Sequence, residues 1–236
     1  MVIMGWNAGI QLGKTNFKEG RSFMMYKILN LYAGLGGNRL QWQNCEVTAI
    51  EIDKEMCRMY KERFPNDIVI NTDAHQFLLE NFKDYDFIWS SPPCPTHSLT
   101  RFFSFGRKKP VFPDMKLYEE IIFLRHHAKE NQKWIVENVN PYYEVLIPAQ
   151  KLGRHLFWSN FQLPKIEKKD ISGNLIVESR INDIKKHHCI DKFDYKGTQN
   201  RLKILRNCVS YDIGLAILNK ARGIQEIENQ KNLTLF

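Results

Sequence analysis

Four short apolar runs, each followed by a turn or an acidic residue, constrain the fold of this chain more than any other feature. They occupy residues 27–32, 47–52, 67–71 and 85–89. Segments with helical character, residues 54–64 and 75–82, separate the second, third and fourth runs. Strands that alternate with helices are typical of a parallel sheet covered on both faces. We therefore predict an α/β fold built on a Rossmann-like, doubly wound sheet.

The ends of these four predicted strands carry residues suited to ligand binding. In chain order they are a glycine-rich loop (33–37) with a predicted helix through Trp42, then Glu51, Asp73 and Cys94. The carboxyl ends of parallel strands meet at one sheet edge, where open α/β sheets bind ligands. Glycines let the backbone approach a nucleotide, and an acid about twenty residues downstream is placed to accept ribose hydroxyls. The alternative for Glu51 is a helix-capping or solvated carboxylate.

Cys94 lies in the stretch 90–98, where two prolines end the fourth strand because proline has no N–H to donate. On local grounds alone, a free cysteine is most often a small buried apolar residue. A fifth predicted strand, 134–136, ends at Glu137, and a further strand lies within 150–158. A thiol and a carboxyl therefore both follow strand ends, which suits nucleophilic and acid–base chemistry.

The segment 95–113 is long and irregular, and loops of this length inside a domain are usually functional. Basic residues alternate there with rings: Arg101, Phe102, Phe103, Phe105, Arg107, Lys108 and Lys109. Basic side chains contact phosphates and apolar rings insert between bases, so the pattern predicts nucleic-acid contact. The alternative is an ordinary basic surface loop over a buried phenylalanine patch. A helix over 114–130, capped by Asp114, is predicted to follow.

Composition favours a polyanionic partner. The chain has 236 residues and a formal net charge of +8, an excess that suits nucleic acid, although it also suits mere solubility. Its five cysteines form no CxxC pair, so we expect neither a disulfide framework nor a zinc ribbon. The cluster His187-His188-Cys189 is an alternative metal site, but no partner ligands stand at zinc spacing, so no metal is expected. No apolar run approaches the ~20 residues of a membrane span, and no signal peptide is visible. We therefore expect a cytoplasmic protein without membrane contact, with a monomer favoured.

From about Ile28 to Leu218 the chain resembles the DNA (cytosine-5) methyltransferases. The resemblance rests on the glycine-rich loop, on Pro93-Cys94 and on the Glu-Asn-Val sequence that starts at Glu137. It implies the sheet of S-adenosylmethionine-dependent methyltransferases, S-adenosylmethionine as cofactor and double-stranded, cytosine-containing DNA as partner. The residues that it assigns to the cofactor are Tyr32, Ala33, Gly34, Leu35, Gly36, Gly37, Glu51, Ile52, Asp73, Pro93, Asn207 and Val209.

The resemblance also implies a mechanism. Cys94 would add to C6 of a flipped-out cytosine, Glu137 would act as the acid at ring N3, and Arg154 would hold the cytosine carbonyl and orient Glu137. A helix N-terminus or an arginine is expected to lower the pKa of the Cys94 thiol. Nucleic-acid contacts are predicted for Ser98, Arg101, Arg107, Lys108, Lys109, Lys185 and Lys186.

The predicted domain organisation follows from this resemblance and from the composition of the segments. It comprises an N-terminal extension (1–26), a catalytic and cofactor-binding domain (27–164), a small target-recognition region (165–203), a returning C-terminal helix (204–223) and a tail (224–236).

Four residues depart from the family pattern, and the first is Pro95, which follows Cys94 where glutamine is common. Leu152 replaces the middle arginine of a Gln-x-Arg-x-Arg motif, and Arg206 and Cys208 replace a glycine and a serine of the final motif. The short recognition region also suits a tRNA cytosine-5 methyltransferase. A non-catalytic DNA-binding protein of the same fold is a further alternative. A nicotinamide-dependent oxidoreductase is disfavoured, because it would leave the thiol and the Glu137 acid without a role.

Overall fold

The computed structural model describes residues 25–104, 106–107, 109–166 and 181–224. The strands are β1 (Tyr26–Leu31), β2 (Cys45–Glu51), β3 (Ile68–Asn71), β4 (Phe87–Ser90), β5 (Lys133–Val139), β6 (Gln150–Leu152) and β7 (His155–Ser159). The α-helices are α1 (Lys54–Arg63), α2 (Ala74–Asn81), α3 (Lys116–His127), α4 (Ile181–His187), α5 (Arg201–Asn207) and α6 (Tyr211–Ala221). Most of the predicted N-terminal extension and tail lie outside the described residues.

The strands form one sheet in the order β3-β2-β1-β4-β5-β7-β6. The first five strands in this order pair in parallel, whereas β7 runs antiparallel to both of its neighbours. From β1 the chain winds outward through β2 and β3 and then returns to place β4 on the other side of β1. A topological switch point therefore lies between β1 and β4. The predicted α/β, doubly wound sheet is confirmed.

Alternate strand residues form two apolar layers, because successive side chains of a strand point to opposite faces. On one face, Leu29 of β1 packs in a cluster with Leu78 of α2 and Ile121 of α3. On the other face, Ile28 of β1 packs in a cluster with Ile217 of α6. Both faces are buried, as expected of a mainly parallel sheet.

A third apolar cluster joins α4 and α5 to α1. Ile184 and Ile204 pack there with Met56 and Met59. The part of the predicted target-recognition region that the structure describes is therefore packed against the sheet domain. The predicted boundary between residues 203 and 204 falls inside α5, and the domain division remains a prediction.

The helix predicted directly after the glycine-rich loop is wrong, because residues 34–41 form turns. The N–H groups of Gly36, Arg39 and Trp42 donate to carbonyls three residues earlier, at 2.8, 3.2 and 3.0 Å. Glycine and asparagine have low helix propensity, and residues 34–38 contain three glycines and one asparagine. No helix N-terminus therefore faces the ligand edge after β1.

The predicted cap of α3 is displaced by one residue. The N-cap is Met115, and Asp114 lies just before it. The Asp114 carboxylate still accepts a hydrogen bond from the Lys116 N–H at 3.1 Å, so it satisfies one donor of the first turn. Within the described ranges, no helix is long and apolar enough to cross a membrane.

Gly36 is required by packing, and Gly36→Ala should lower the free energy of unfolding by at least about 2 kcal/mol. Its φ is +66°, and an added Cβ would lie 2.4 Å from Phe64 Cε2 and 2.8 Å from Tyr60 Cε2. Denaturant unfolding followed by circular dichroism measures the loss. Gly223→Ala is the matched control, because Gly223 has φ +71° and nothing within 4 Å of an added Cβ. Equal losses in the two variants would show that backbone strain alone matters.

Candidate active site

A cavity of about 270 Å³ lies at the carboxyl edge of the sheet, next to the switch point between β1 and β4. The predicted site residues that line it are Tyr32, Ala33, Gly34, Leu35, Gly37, Glu51, Ile52, Pro93, Cys94, Glu137, Arg154, Asn207 and Val209. The fold thus brings together residues that are up to about three quarters of the chain apart.

Glu51 is held at the cavity by backbone donors. Its Oε2 accepts a hydrogen bond from the Gly34 N–H at 2.9 Å, and its Oε1 accepts one from the Asp53 N–H at 3.0 Å. Burial raises the pKa of this carboxyl, although the backbone hydrogen bonds act in the opposite direction. The carboxyl joins the glycine-rich loop to the end of β2 and keeps lone pairs for hydroxyl donors.

Gly37 lets the C-terminal part of the chain close the cavity. An added Cβ at this position would lie 2.5 Å from the Val209 carbonyl oxygen, so only glycine leaves room for that segment. Val209 and the preceding residues Asn207 and Cys208 form a wall of the cavity.

Gly36 and Asp73 do not line the cavity. Asp73 is the N-cap of α2, where its carboxylate accepts a hydrogen bond from the Gln76 N–H at 3.0 Å. This hydrogen bond, more than the nearby Lys116 ammonium, lowers the pKa of Asp73 and keeps the carboxyl ionised. The contact of Asp73 with an adenine remains a prediction.

Cys94 is half-buried and lines the cavity in the loop after β4. Burial raises its pKa and the charge of Glu137 raises it further, while the charges of Lys203 and Arg154 lower it by less. The expected lowering of the thiol pKa is therefore wrong. The arginine acts in the expected direction, but desolvation of the thiolate outweighs it.

Glu137 lies in β5 with only 6% of its surface exposed. Burial raises the pKa of its carboxyl to about 7, against smaller opposing effects of a hydrogen bond with Ser91 and of the charge of Arg154. A carboxyl with this pKa occurs in both protonation states near neutral pH, so it can donate or accept a proton there.

Arg154 precedes β7, and its Nη2 donates a hydrogen bond to the Arg206 carbonyl at 2.5 Å. This bond ties the guanidinium to the end of α5. The Nε2 atom of the next residue, His155, lies 3.6 Å from Oε1 of Glu137. Burial first, and the charge of Arg154 second, lower the pKa of His155 to about 3, so a neutral imidazole lies beside the acid.

Several cavity residues were not predicted, among them Gln199 and Lys203. Gln199 Nε2 and Tyr195 Oη both donate hydrogen bonds to Asp53 Oδ2, at 2.7 and 2.6 Å. These bonds place the segment before α5 at the cavity. The sequence feature that points to these residues is the final family motif at Asn207, because Asn207 is the last residue of α5.

The residues predicted to contact nucleic acid lie in two parts of the structure. The loop after Cys94 carries Ser98, Arg101, Arg107 and Lys109, and α4 carries Lys185 and Lys186. Lys108 lies outside the described residues. Phe102 and Phe103 are 55% and 81% exposed, so these rings do not form the buried patch of the alternative interpretation.

The strand order, the antiparallel β7 and the glycine-rich loop after β1 together form a sheet of the type found in S-adenosylmethionine-dependent methyltransferases. Residues 26–140 match the family model described as C-5 cytosine-specific DNA methylase. This match covers just under half of the chain, and it confirms the resemblance found in the sequence. Cys94 and Glu137 lie inside the matched stretch, whereas Arg154 and Asn207 lie beyond it.

Three similar proteins show the extent of the likeness. The tRNA (cytosine(38)-C(5))-methyltransferase of Spodoptera frugiperda is 33% identical over 78 residues, which are 30% of this chain and 24% of that protein. A solved DNMT2 mutant from the same organism is 24% identical, over 48% of this chain and 35% of the other, with a TM-score of 0.34. A methyltransferase from Agrobacterium tumefaciens is 19% identical, over 50% and 40%, with a TM-score of 0.37. The matched stretch spans about a quarter of the curated relative.

S-adenosylmethionine is the cofactor of this family, and the cavity residues fit it. Glu51 offers a carboxylate to hydroxyl groups, and Ile52, 68% exposed, offers apolar surface to a flat ring. The backbone at Gly34 is open, because an added Cβ would meet its nearest neighbour, Met56 Cε, at 3.8 Å. Among the described residues, no three His, Cys, Asp or Glu side chains gather to hold a metal ion.

Proposed function

We propose that the protein methylates C5 of cytosine in double-stranded DNA, with S-adenosylmethionine as methyl donor. The observation that carries the proposal is the shared cavity. It places the Cys94 thiol, the Glu137 carboxyl and the glycine-rich loop on one set of walls. A nucleophile, an acid and a cofactor loop are the three parts that this reaction requires.

Cys94 supplies the nucleophile. Cytosine C5 is unreactive because it belongs to a conjugated ring. Addition of the Cys94 thiolate forms a C6–S bond, breaks the C5–C6 double bond and makes C5 enamine-like. Bound S-adenosylmethionine supplies the electrophilic methyl group that C5 takes up. Loss of the C5 proton then restores the double bond and expels the thiolate, so the enzyme is regenerated.

Glu137 supplies the acid. Thiolate addition pushes an electron pair toward ring N3, and a protonated carboxyl at that atom stabilises the charge. The pKa of about 7 supports this role, because an ordinary carboxyl would be ionised at neutral pH. Arg154 is proposed to bind the cytosine carbonyl, since it lines the same cavity as Cys94 and Glu137 and carries a hydrogen-bond donor of positive charge.

The target cytosine must leave the helix stack, which costs a few kcal/mol. We infer that the loop after Cys94 offsets this cost. Phe103 and Phe112 are 81% and 95% exposed there, and Arg107 and Lys109 provide cations for phosphates. Phosphate contacts of this kind make affinity fall steeply with added salt.

Bisulfite sequencing tests the proposal. Purified protein is incubated with S-adenosylmethionine and duplex DNA of mixed sequence, and separately with tRNA. We expect a subset of DNA cytosines to become resistant to bisulfite conversion, and none to do so when the cofactor is omitted. Methylation of tRNA alone would replace DNA with tRNA as the substrate. Unmodified DNA and tRNA, despite bound cofactor, would contradict the proposal.

A tRNA substrate is the second candidate. It is favoured by the identity of 33% over 78 residues to a relative named as a tRNA (cytosine(38)-C(5))-methyltransferase. Competition separates the two candidates: excess unlabelled duplex DNA should suppress methylation of labelled DNA at a concentration where tRNA does not.

A further inference from the structure

α3 contains a fully buried carboxylate that the proposed mechanism does not use. Glu120 has 0% of its surface exposed and sits on the helix that covers one face of the sheet. Its helix neighbours Leu117 and Ile121 belong to the apolar core cluster on that face. A carboxylate in such surroundings is costly to bury unless several donors satisfy it.

Three polar groups contact the Glu120 carboxylate. Tyr32 Oη donates to Oε1 at 2.6 Å, Ser90 Oγ donates to Oε2 at 2.5 Å, and His75 Nδ1 lies 3.1 Å from Oε1. The two oxygens thus hold different partners, one after β1 and one at the end of β4.

The two hydroxyl donors lie where the two loops of the site begin. Tyr32 begins the glycine-rich loop and itself lines the cavity. Ser90 is the last residue of β4, four positions before the cysteine nucleophile. Because β1 and β4 are neighbours at the switch point, one carboxylate can reach both.

The backbone at Tyr32 also requires support. Its φ is +55°, a left-handed conformation that residues other than glycine rarely adopt. Such a conformation persists only where surrounding contacts over-determine it. The hydrogen bond to Glu120 is a contact of this kind, because it fixes the far end of the Tyr32 side chain.

We propose that Glu120 is a positioning residue that joins the glycine-rich loop to the loop after β4, which carries Cys94. This inference rests on the proposed function. Through Tyr32, the carboxylate sets the wall of the cavity that receives the cofactor. Through Ser90, it sets the start of the segment that carries Cys94. Cofactor affinity and nucleophile placement therefore depend on one buried group.

Three single substitutions separate the two connections. Tyr32→Phe removes only the first hydroxyl and should weaken S-adenosylmethionine binding about tenfold, with the rate of thiol addition unchanged. Ser90→Ala removes only the second and should slow thiol addition about tenfold, with cofactor affinity unchanged. Glu120→Gln should show both effects. Calorimetry gives the affinity, and single-turnover covalent capture on 5-fluorocytosine DNA gives the rate.

Glu119→Gln is the matched control. Glu119 is adjacent on α3 and 60% exposed, and its Oε2 lies 3.4 Å from His75 Nε2 rather than at either hydroxyl donor. Wild-type protein must bind the cofactor and form the adduct, since failure there would reject the proposed function itself. If Glu120→Gln, Tyr32→Phe and Ser90→Ala change only the unfolding temperature, Glu120 is merely structural and the inference is overturned. If Glu120→Gln fails to fold, the inference is judged from the two hydroxyl variants alone. It stands if Tyr32→Phe weakens only cofactor binding and Ser90→Ala slows only thiol addition, and it is overturned otherwise.

Discussion

Cys94→Ala is expected to reduce cytosine methylation by at least about 10⁴-fold, because the variant has no nucleophile to add to C6. Cys94 is a half-buried residue on the cavity wall, so removal of its thiol leaves no void in the apolar core. We therefore expect the free energy of unfolding to change by less than about 1 kcal/mol. Transfer of a labelled methyl group from S-adenosylmethionine to DNA measures the loss.

Cys208→Ser is the control for this experiment. Cys208 also lines the cavity, but it is buried and burial raises the pKa of its thiol to about 11. The variant should retain methylation and should still be captured on 5-fluorocytosine DNA, where fluorine replaces the proton that must leave. Capture of wild-type protein would also exclude a non-catalytic DNA-binding protein. Adduct formation by Cys94→Ala would assign the nucleophile to another residue.

Glu137→Gln is expected to lower kcat/KM by about 10³-fold, since general acid catalysis typically contributes 10²–10⁴-fold. The amide keeps the shape of the side chain but cannot transfer a proton. The matched control is Glu130→Gln, an exposed carboxylate after α3 that does not line the cavity. Equal kcat/KM in Glu137→Gln and Glu130→Gln would reject the acid role.

The pH profile provides a second test of Glu137. In the proposed mechanism the reactive pair is a Cys94 thiolate with a protonated Glu137, so the two groups together hold one proton. The free protein also holds one proton on these two groups when the pH lies between the Glu137 pKa of about 7 and the raised pKa of the Cys94 thiol. Wild-type kcat/KM should therefore rise as pH passes about 7 and fall above the thiol pKa, with both limits belonging to the coupled pair. In Glu137→Gln the rise should move to the thiol pKa and the alkaline fall should vanish.

The same group makes stability depend on pH. Because folding raises the pKa of Glu137 from 4.5 to about 7, the folded state binds more protons between these values. Protonated Glu137 therefore adds to the free energy of unfolding. This contribution is fully present below pH 4.5 and is lost as the pH rises through about 7. Relative to Glu137→Gln, wild-type protein should lose roughly 3 kcal/mol of unfolding free energy over this range. Denaturant unfolding of both proteins at pH 5 and pH 8 measures the difference.

Much of the fold could be predicted from local sequence. Apolar runs, turn residues and helical segments repeat at regular intervals, and a parallel sheet aligns the strand ends whatever the details of packing. The helix predicted after the glycine-rich loop does not form, because residues 34–38 contain three glycines and one asparagine, which have low helix propensity. The N-cap of α3 lies one residue after the predicted Asp114, a difference that is usual for helix ends.

The chain's own residue order specified the doubly wound sheet and the positions of Cys94 and Glu137 near strand ends, because strand periodicity and motif spacing are local properties. Only the tertiary structure decided the chemical state of those groups. Desolvation raises the pKa values of Cys94 and Glu137, and it depends on atoms contributed by distant segments such as α5. Likewise, the link from Glu120 to Tyr32 spans 88 positions and the link to Ser90 spans 30. Contacts over such separations arise from packing of the sheet against α3 and leave no periodic signal in the sequence.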